Sequence, residues 1–373
     1  MSPTDGLVLV NGPPNSVQGP RARALFEGLA TIAYKKERGR LGSARALWSA
    51  LRARASGWIY GIDLGIPGAP LAALRQRQNR GLRLVYELGD PARPLLANQH
   101  RPAWQVALAD RLDRTLPLRA DGLVFRGSYL ADYFAKLVAP RALPHRIWLP
   151  DGADTGSFRP RRDDPEVAAL RREHGLEGRF VVGLVGSIHY NPYFNLFYGW
   201  ELAEALAQIP ASEPIVGVVV GDGPGRSVLE ETRRRLGLGD RLKLVGRVPH
   251  DRVPLWMNIF DVGLSTQTDD PVGWGRTTAK LPEYLACGLP VACTDVGEAH
   301  RWLSESGQTM AYQGMRDDSY PPRLAEHLRQ LAGADLDPLR QHNRALALRL
   351  FDYRELRRQA HEFLASLEPA TTA

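Results

Sequence analysis

The run RTTAKLPEYLACGLPVACTDVGEA at residues 276–299 puts Arg276, Thr277, Thr278 and Lys280 just ahead of a carboxylate, Glu283, in surroundings that do not otherwise call for one. At a strand-to-helix turn this set has a chemical use. Cations, hydroxyls and the free amides of a helix start can hold a pyrophosphate, while the carboxylate accepts hydrogen bonds from two ribose hydroxyls. The plainer alternative makes Lys280 and Glu283 a surface ion pair three residues apart, worth only about 0.3 kcal/mol.

A second candidate is VVVGDGPGRSVLEE, which places Gly221, Gly223 and Gly225 between a buried strand and a helix. Backbone amides there can meet phosphate, or the glycines can serve a tight turn through their backbone angles alone. A dinucleotide fingerprint wants a further glycine at Arg226 and an acid after the next strand, where LKLVGRV has none, so a nicotinamide or flavin cofactor is disfavoured.

Other polar residues carry less. Glu87 and Asp90 in ELGD end a strand as candidate carboxylates, with a helix cap or turn as the alternative for Asp90. His189 and Asn191 fall on a loop suited to donor-sugar or acceptor contact, or to a turn. His100, His145, His250 and His300 lack the partner spacing of a metal site, and no metal is expected.

These residues need a scaffold, and the chain supplies alternating apolar strands and amphipathic helices in both halves, the pattern of α/β domains with parallel sheets. Strands are expected at 7–10, 58–62, 82–88, 122–125, 179–187, 215–223, 242–248 and 261–266. Helices are expected at 21–34, 104–116, 199–209, 227–238, 252–260 and 353–367. The turn-rich LPDGADTGSFRPRRDDP at 149–165 marks a boundary. This gives an N-terminal domain at 1–160, a C-terminal domain at 175–350 and a final helix at 351–373 packing back on the first domain. Two doubly wound domains facing each other would bind ligands at the carboxyl ends of their strands.

The 373 residues suit two such domains, and no apolar run is long enough to span a membrane. Cys287 and Cys293 flank a Gly-Leu-Pro turn, which suits buried thiols and a reducing cytoplasm. Charge is uneven: residues 1–150 hold 22 Lys and Arg against 10 Asp and Glu, and the remainder holds 26 against 31. A basic first half favours an anionic partner, such as a membrane surface, a phosphorylated acceptor or nucleic acid, or reflects a preference for arginine, since only five lysines occur. The helix around Leu47, Trp48 and Leu51 could be an interfacial patch, or an amphipathic helix packed on its own sheet. Nucleic-acid binding is not expected, because no recognition motif or aromatic platform is present.

Four motifs, LPDGADTGSF, VVVGDGPG, VGRVPHDRVPLWMNIFDVGLS and KLPEYLACGLPVACTDVGEA, occur in the order and spacing of the GT-B glycosyltransferases of family 4, and the chain resembles that family across its second half. The resemblance implies a GT-B fold and a retaining, metal-independent transfer of a sugar from a nucleotide diphosphate to a hydroxyl acceptor, with no cofactor. Glu283 is similar to the family's second Glu of E-x7-E, a ribose ligand. Gly223 and Pro224 match a donor-side turn, Arg247 and Val248 lie where the backbone meets the base, and Gly19 is similar to a glycine near the diphosphate. Three positions depart from the pattern. The first Glu falls on Gly275, leaving Asp269 or Asp270 to replace it; the diphosphate clamp falls on Ser187 and Tyr193; and His-Asp becomes Gly89-Asp90. Arg276 and Lys280 are then the expected phosphate cations and Asp90 the carboxylate that would orient the acceptor or the donor sugar. A degenerate protein that binds nucleotide or a partner without catalysis, or an epimerase or phosphorylase of the same fold, stays open.

Overall fold

The computed structural model describes residues 6–14, 16, 18–34, 39–52, 57–63, 65–78, 81–276 and 278–367. The chain divides into two compact units. The first comprises residues 1–152, 274–277 and 353–373, and the second residues 153–273 and 278–352. The changeover therefore lies at Gly152–Ala153, earlier than the boundary expected at residue 160, and four residues from the middle of the chain group with the first unit.

The first unit runs β1 (Gly6–Val10), α1 (Gln18–Phe26), β2 (Ala30–Tyr34), α2 (Gly39–Arg52), β3 (Gly57–Ile62), α3 (Gly65–Gln78), β4 (Leu82–Leu88), α4 (Ala92–Asn98), α5 (Ala103–Thr115), β5 (Gly122–Phe125), α6 (Ser128–Val138) and β6 (His145–Trp148). Its six strands pair in the order β2-β1-β3-β4-β5-β6, all parallel. Strands β1 and β5 inside the sheet are buried along their whole length, as parallel sheets require. One expectation fails here. Residues 21–34 do not form a single helix, because Gly28 turns at φ +78° and the β-branched and aromatic run ATIAY forms edge strand β2. Leu47 and Leu51, weighed above as an interfacial patch, are core residues of this sheet.

The second unit runs α7 (Pro165–Glu173), β7 (Phe180–Val185), a small antiparallel hairpin β8 (Tyr190–Asn191) and β9 (Leu196–Phe197), α8 (Trp200–Gln208), β10 (Ile215–Val220), α9 (Arg226–Arg235), β11 (Leu242–Gly246), α10 (Val253–Asn258), β12 (Val262–Ser265), α11 (Pro271–Gly275), α12 (Lys280–Ala286), β13 (Val291–Thr294), α13 (Gly297–Leu303), β14 (Thr309–Met310), α14 (Tyr320–Ala332) and α15 (Asp337–Leu350). The order β11-β10-β7-β12-β13-β14 is a parallel Rossmann sheet whose chain reverses direction across it between β7 and β12. That switch point is where open α/β sheets bind ligands, beyond the carboxyl ends of the strands.

The last helix, α16 (Tyr353–Ser366), belongs to the first unit. Its Leu356, Ala360, Phe363 and Leu364 enter the core with Val8, Phe26 and Val124. Arg357 donates to the Glu27 carbonyl at 2.9 Å, and His361 bonds the Leu25 carbonyl at 3.0 Å, both at the end of α1. A Cβ at Gly122 would lie 2.9 Å from the Phe363 ring, so β5 has glycine where α16 lies against it. Truncating Phe363 to Ala should cost about 3 to 5 kcal/mol in the stability of the first unit, read by urea unfolding. A cost below about 1 kcal/mol would mean that the ring is not a core anchor.

Candidate active site

At the switch point of the second sheet, two phenols grip the last residue of β7. The Val185 amide donates to Tyr284 Oη at 2.8 Å, and Tyr198 Oη donates to the Val185 carbonyl at 3.2 Å. Tyr284 comes from α12 and Tyr198 from the turn before α8, so both helices are registered on the strand end. The Lys280 ammonium, at the start of α12, donates to the Tyr198 hydroxyl and lies 3.9 Å from the centre of its ring. Burial first, then Tyr284 and Glu201, push the Tyr198 phenol well above its usual pKa, so it stays a neutral hydroxyl that can accept from lysine. Thr278 lies two residues before Lys280, its hydroxyl 3.5 Å from that of Ser265 at the end of β12. Glu283 is half-buried one turn further along α12. Thr277 lies outside the described residues.

The glycine turn after β10 approaches the loop after β7 backbone to backbone. The Ile188 amide donates to the Asp222 carbonyl at 3.1 Å, and the Gly225 amide to the Ile188 carbonyl at 2.8 Å. A Cβ at Gly221 would stand 1.8 Å from the Gly186 carbonyl oxygen, and one at Gly223 2.6 Å from that of Ile188. Both glycines also have positive φ, +147° and +159°. The glycines are thus fixed by strand-loop contact, whether or not a phosphate uses the turn. This interlock brings Ser187 and His189, both exposed, beside Gly223 and Pro224. Asn191 accepts from the Tyr193 amide at 3.1 Å within the hairpin. Arg247 is exposed just beyond β11, whereas Val248 packs against the core.

Several expected residues are placed otherwise. Tyr193, at the expected clamp position, is 62% exposed in the hairpin, and the tyrosine that meets Lys280 is Tyr198. Asp270, weighed as a sugar ligand, accepts from the Thr268 hydroxyl at 2.5 Å and the Gly273 amide at 3.0 Å, capping the start of α11. Arg276 does not join Lys280 in one unit. It belongs to the first, where it grips Asp90 through two bonds of 2.6 and 3.1 Å. Trp274 beside it packs edge-on against Tyr129, ring centres 4.8 Å apart, which anchors this segment to α6.

Glu87 is also corrected: it is a buried ion-pair partner and not an open carboxylate. It is 1% exposed, receives Arg21 Nε at 2.8 Å on one oxygen and the Tyr60 hydroxyl at 2.6 Å on the other. Arg21 in turn donates to the carbonyls of Pro150 and Leu149 at 2.5 and 2.8 Å. A second guanidinium, Arg126, pairs with Asp63 and stands 3.8 Å from Glu87 and 3.7 Å from Asp151. Burial would discharge both arginines, but the surrounding carboxylates outweigh it and keep them charged. Gly89 is glycine because a Cβ there would fall on the Arg126 guanidinium. Gly19, in the first turn of α1, is buried, and a Cβ would stand 2.0 Å from the Pro14 carbonyl.

Sequence reasoning missed Arg21, Arg126 and Tyr198, which lie in no quoted motif, and Tyr284, which sits inside KLPEYLACGLPVACTDVGEA beside Glu283 and drew no notice there. Among the described residues, no group of three or more His, Cys, Asp or Glu could hold a metal ion, and no helix is long and apolar enough to cross a membrane. Cys287 and Cys293 are buried free thiols, and burial pushes Cys293 up to about 12.

Residues 179–333 match the family described as glycosyl transferases group 1. The chain is 33% identical over 153 residues to a 2-deoxystreptamine glucosyltransferase of Streptomyces kanamyceticus, covering 40% of this chain and 36% of that protein. It is 34% identical over 201 residues to a 2-deoxystreptamine N-acetyl-D-glucosaminyltransferase of Streptomyces fradiae, covering 53% and 44%. The chain therefore spans less than half the length of these relatives. Among solved structures, HepE of Anabaena in complex with UDP aligns over 97% of this chain and all of that one, at 20% identity and a TM-score of 0.76. Sucrose-phosphate synthase of Thermosynechococcus elongatus aligns over 97% and 99%, at 16% identity and 0.77. These likenesses show the fold, which is GT-B.

Replacing Glu87 with Ala should destabilise the first unit by about 3 to 5 kcal/mol, because it leaves the Arg21 charge buried without its partner. Denaturant unfolding measures this, and an effect below about 1 kcal/mol would return Glu87 to the list of ligand carboxylates.

Proposed function

We propose, from a second unit whose residues 179–333 match the glycosyl transferases group 1, that this protein transfers a hexose-like sugar from a nucleotide diphosphate to a hydroxyl acceptor with retention and without a metal. The observation that carries the proposal is the Lys280 ammonium held by Tyr198 at the switch point of a Rossmann sheet. Departure of a nucleoside diphosphate concentrates negative charge on phosphate oxygens, and a fixed cation stabilises that charge without reorganising as it forms. Lys280 fills that role in this reading, with the Thr278 hydroxyl beside it. Glu283 takes the ribose hydroxyls, Gly223 and Pro224 line the donor, and the backbone at Arg247 and Val248 meets the base. Ser187, His189 and Asn191 are the candidates for donor-sugar or acceptor contact. Gly19 remains a donor-side candidate from the first unit.

The acceptor side is assigned to the first unit, with Asp90 as the orienting carboxylate and Arg276 as the residue that holds it. UDP is the nucleotide to test first, because the HepE structures hold UDP and UDP-glucose. Retention, metal independence and the absence of a cofactor come from the sequence resemblance. A cytoplasmic location rests on the two free thiols, and contact of the basic first half with an anionic membrane face rests on the charge of residues 1–150.

A calorimetric screen of UDP, GDP, ADP, CMP and dTDP with their sugar conjugates tests the reading. One nucleotide diphosphate binding well above the others is expected, and binding by none would remove the donor site. Glu283→Ala should then weaken donor binding by about 1 to 3 kcal/mol. Lys280→Ala should lower turnover more than affinity, a loss concentrated in kcat. Unchanged constants in both variants would take the roles away from these residues.

A further inference from the structure

Among the described residues of the first unit, the large apolar side chains left exposed are Leu74, Trp104 and Leu108, and the last two lie together on α5 at 63% and 37% exposure. Four residues apart, they share one face of the helix. Ala107 on the same face is exposed, Arg111 is exposed three residues beyond Leu108, and Arg101 is exposed three residues ahead of Trp104. A cation therefore stands at each end of the apolar pair.

The way the α4–α5 hairpin is held explains why this face is bare. No residue of α4 is buried, and α5 buries only Ala109 and Asp113, on the side turned away from Trp104. Asp113 accepts from the Arg93 amide at 2.9 Å, which fastens the start of α4 to α5. The other acid of the hairpin, Asp110, is engaged by Arg114 at 2.8 Å and by Arg93 at 3.4 Å. At 3.6 residues per turn, Asp113 lies about 180° and Asp110 about 120° around the helix from Trp104, so the exposed face carries no carboxylate. Residues 91–116 hold four arginines, at 93, 101, 111 and 114, against these two aspartates.

An interfacial helix was weighed above around Leu47 and Leu51, which the sheet covers. The same combination of tryptophan, leucine and arginine is left in the open on α5. A strip of this kind complements an anionic lipid surface. Trp104 and Leu108 can enter the boundary between headgroups and acyl chains, while the guanidinium groups of Arg101 and Arg111 stay among the headgroups with their stems along the strip. Two large side chains on a helix about 20 Å long fall short of the roughly 1,000 Å² that a stable protein interface buries.

We propose that the exposed face of α5, through Trp104 and Leu108 with Arg101 and Arg111, is the surface by which this protein docks on an anionic lipid bilayer. This rests on the reading that the basic first half meets such a membrane, and it gives that contact a location.

Co-sedimentation of the full chain with vesicles tests it, using phosphatidylcholine alone and phosphatidylcholine with phosphatidylglycerol in equal parts. Binding is expected to the anionic vesicles only, weakening as salt rises. Trp104→Ser, and Arg101→Glu combined with Arg111→Glu, should each weaken binding by about tenfold or more. Leu348→Ser, at an exposed leucine on α15 of the second unit, should leave it level. Trp104→Phe should keep binding within about threefold of wild type and yet lose part of the fluorescence quenching that brominated lipid produces, which places the indole itself in the lipid. All of these side chains are exposed, so an unchanged Tm in each variant separates lost docking from lost folding.

Anionic-vesicle binding that both the serine and the glutamate variants retain would overturn α5 as the docking surface and leave the membrane reading intact. No binding of the wild type to anionic vesicles would overturn both. A dimer seen by light scattering that Trp104→Ser abolishes, without vesicle binding, would assign the face to a second copy of the chain and overturn the proposal as well.

Discussion

A charge persists in a protein interior only when its partners outweigh the loss of water, and the Arg21–Glu87 pair meets that condition by saturating almost every polar atom it owns. Arg21 spends its donors on Glu87 and two carbonyls, and Glu87 spends both oxygens on Arg21 and Tyr60. The pair joins α1, β3, β4 and the segment after β6 into one rigid carboxyl edge. Arg126 extends this edge to Asp63 and Asp151, and the glycine at position 89 is the space its guanidinium needs. Asp90, the next residue, is thereby held at a fixed point on the rim.

The second unit reaches the same rigidity with little buried charge at its strand ends. Here the strand-end loops touch through backbone atoms, and two phenols fix the last peptide of β7. Elsewhere in the unit, Asp261 anchors the start of β7 by accepting from the Val181 amide at 2.8 Å and from Arg162 at 2.6 Å. The cation at the switch point is consequently held by a neutral hydroxyl. A phenol orients an ammonium without cancelling its charge, which keeps that charge available for an anion.

Much of this was legible in the sequence, for identifiable reasons. Runs such as LRLVYEL and IVGVVV can only be strands buried on both faces, and the strand spacing set the domain pattern. Lys280 was reached through its place beside Glu283 and the resemblance, and the scarcity of lysine added weight to it. By contrast, ATIAY read as a continuation of α1, because an apolar run beside a helix does not reveal where the backbone turns. Arg21 and Arg126 were not found, and the burial of Glu87 was not foreseen, since a charged residue within a helical or strand pattern looks the same whether it faces water or the core. Arg276 was grouped with Lys280 on sequence proximity, and the packing of Trp274 on Tyr129 decided otherwise.

The division of the chain also sets an order of assembly. The first unit is built from three separate stretches, and its core is incomplete without Leu356, Phe363 and Leu364 of α16. All of the second unit lies upstream of that helix in the chain. During synthesis the middle of the polypeptide can therefore close its sheet while the N-terminal sheet still shows an open apolar face.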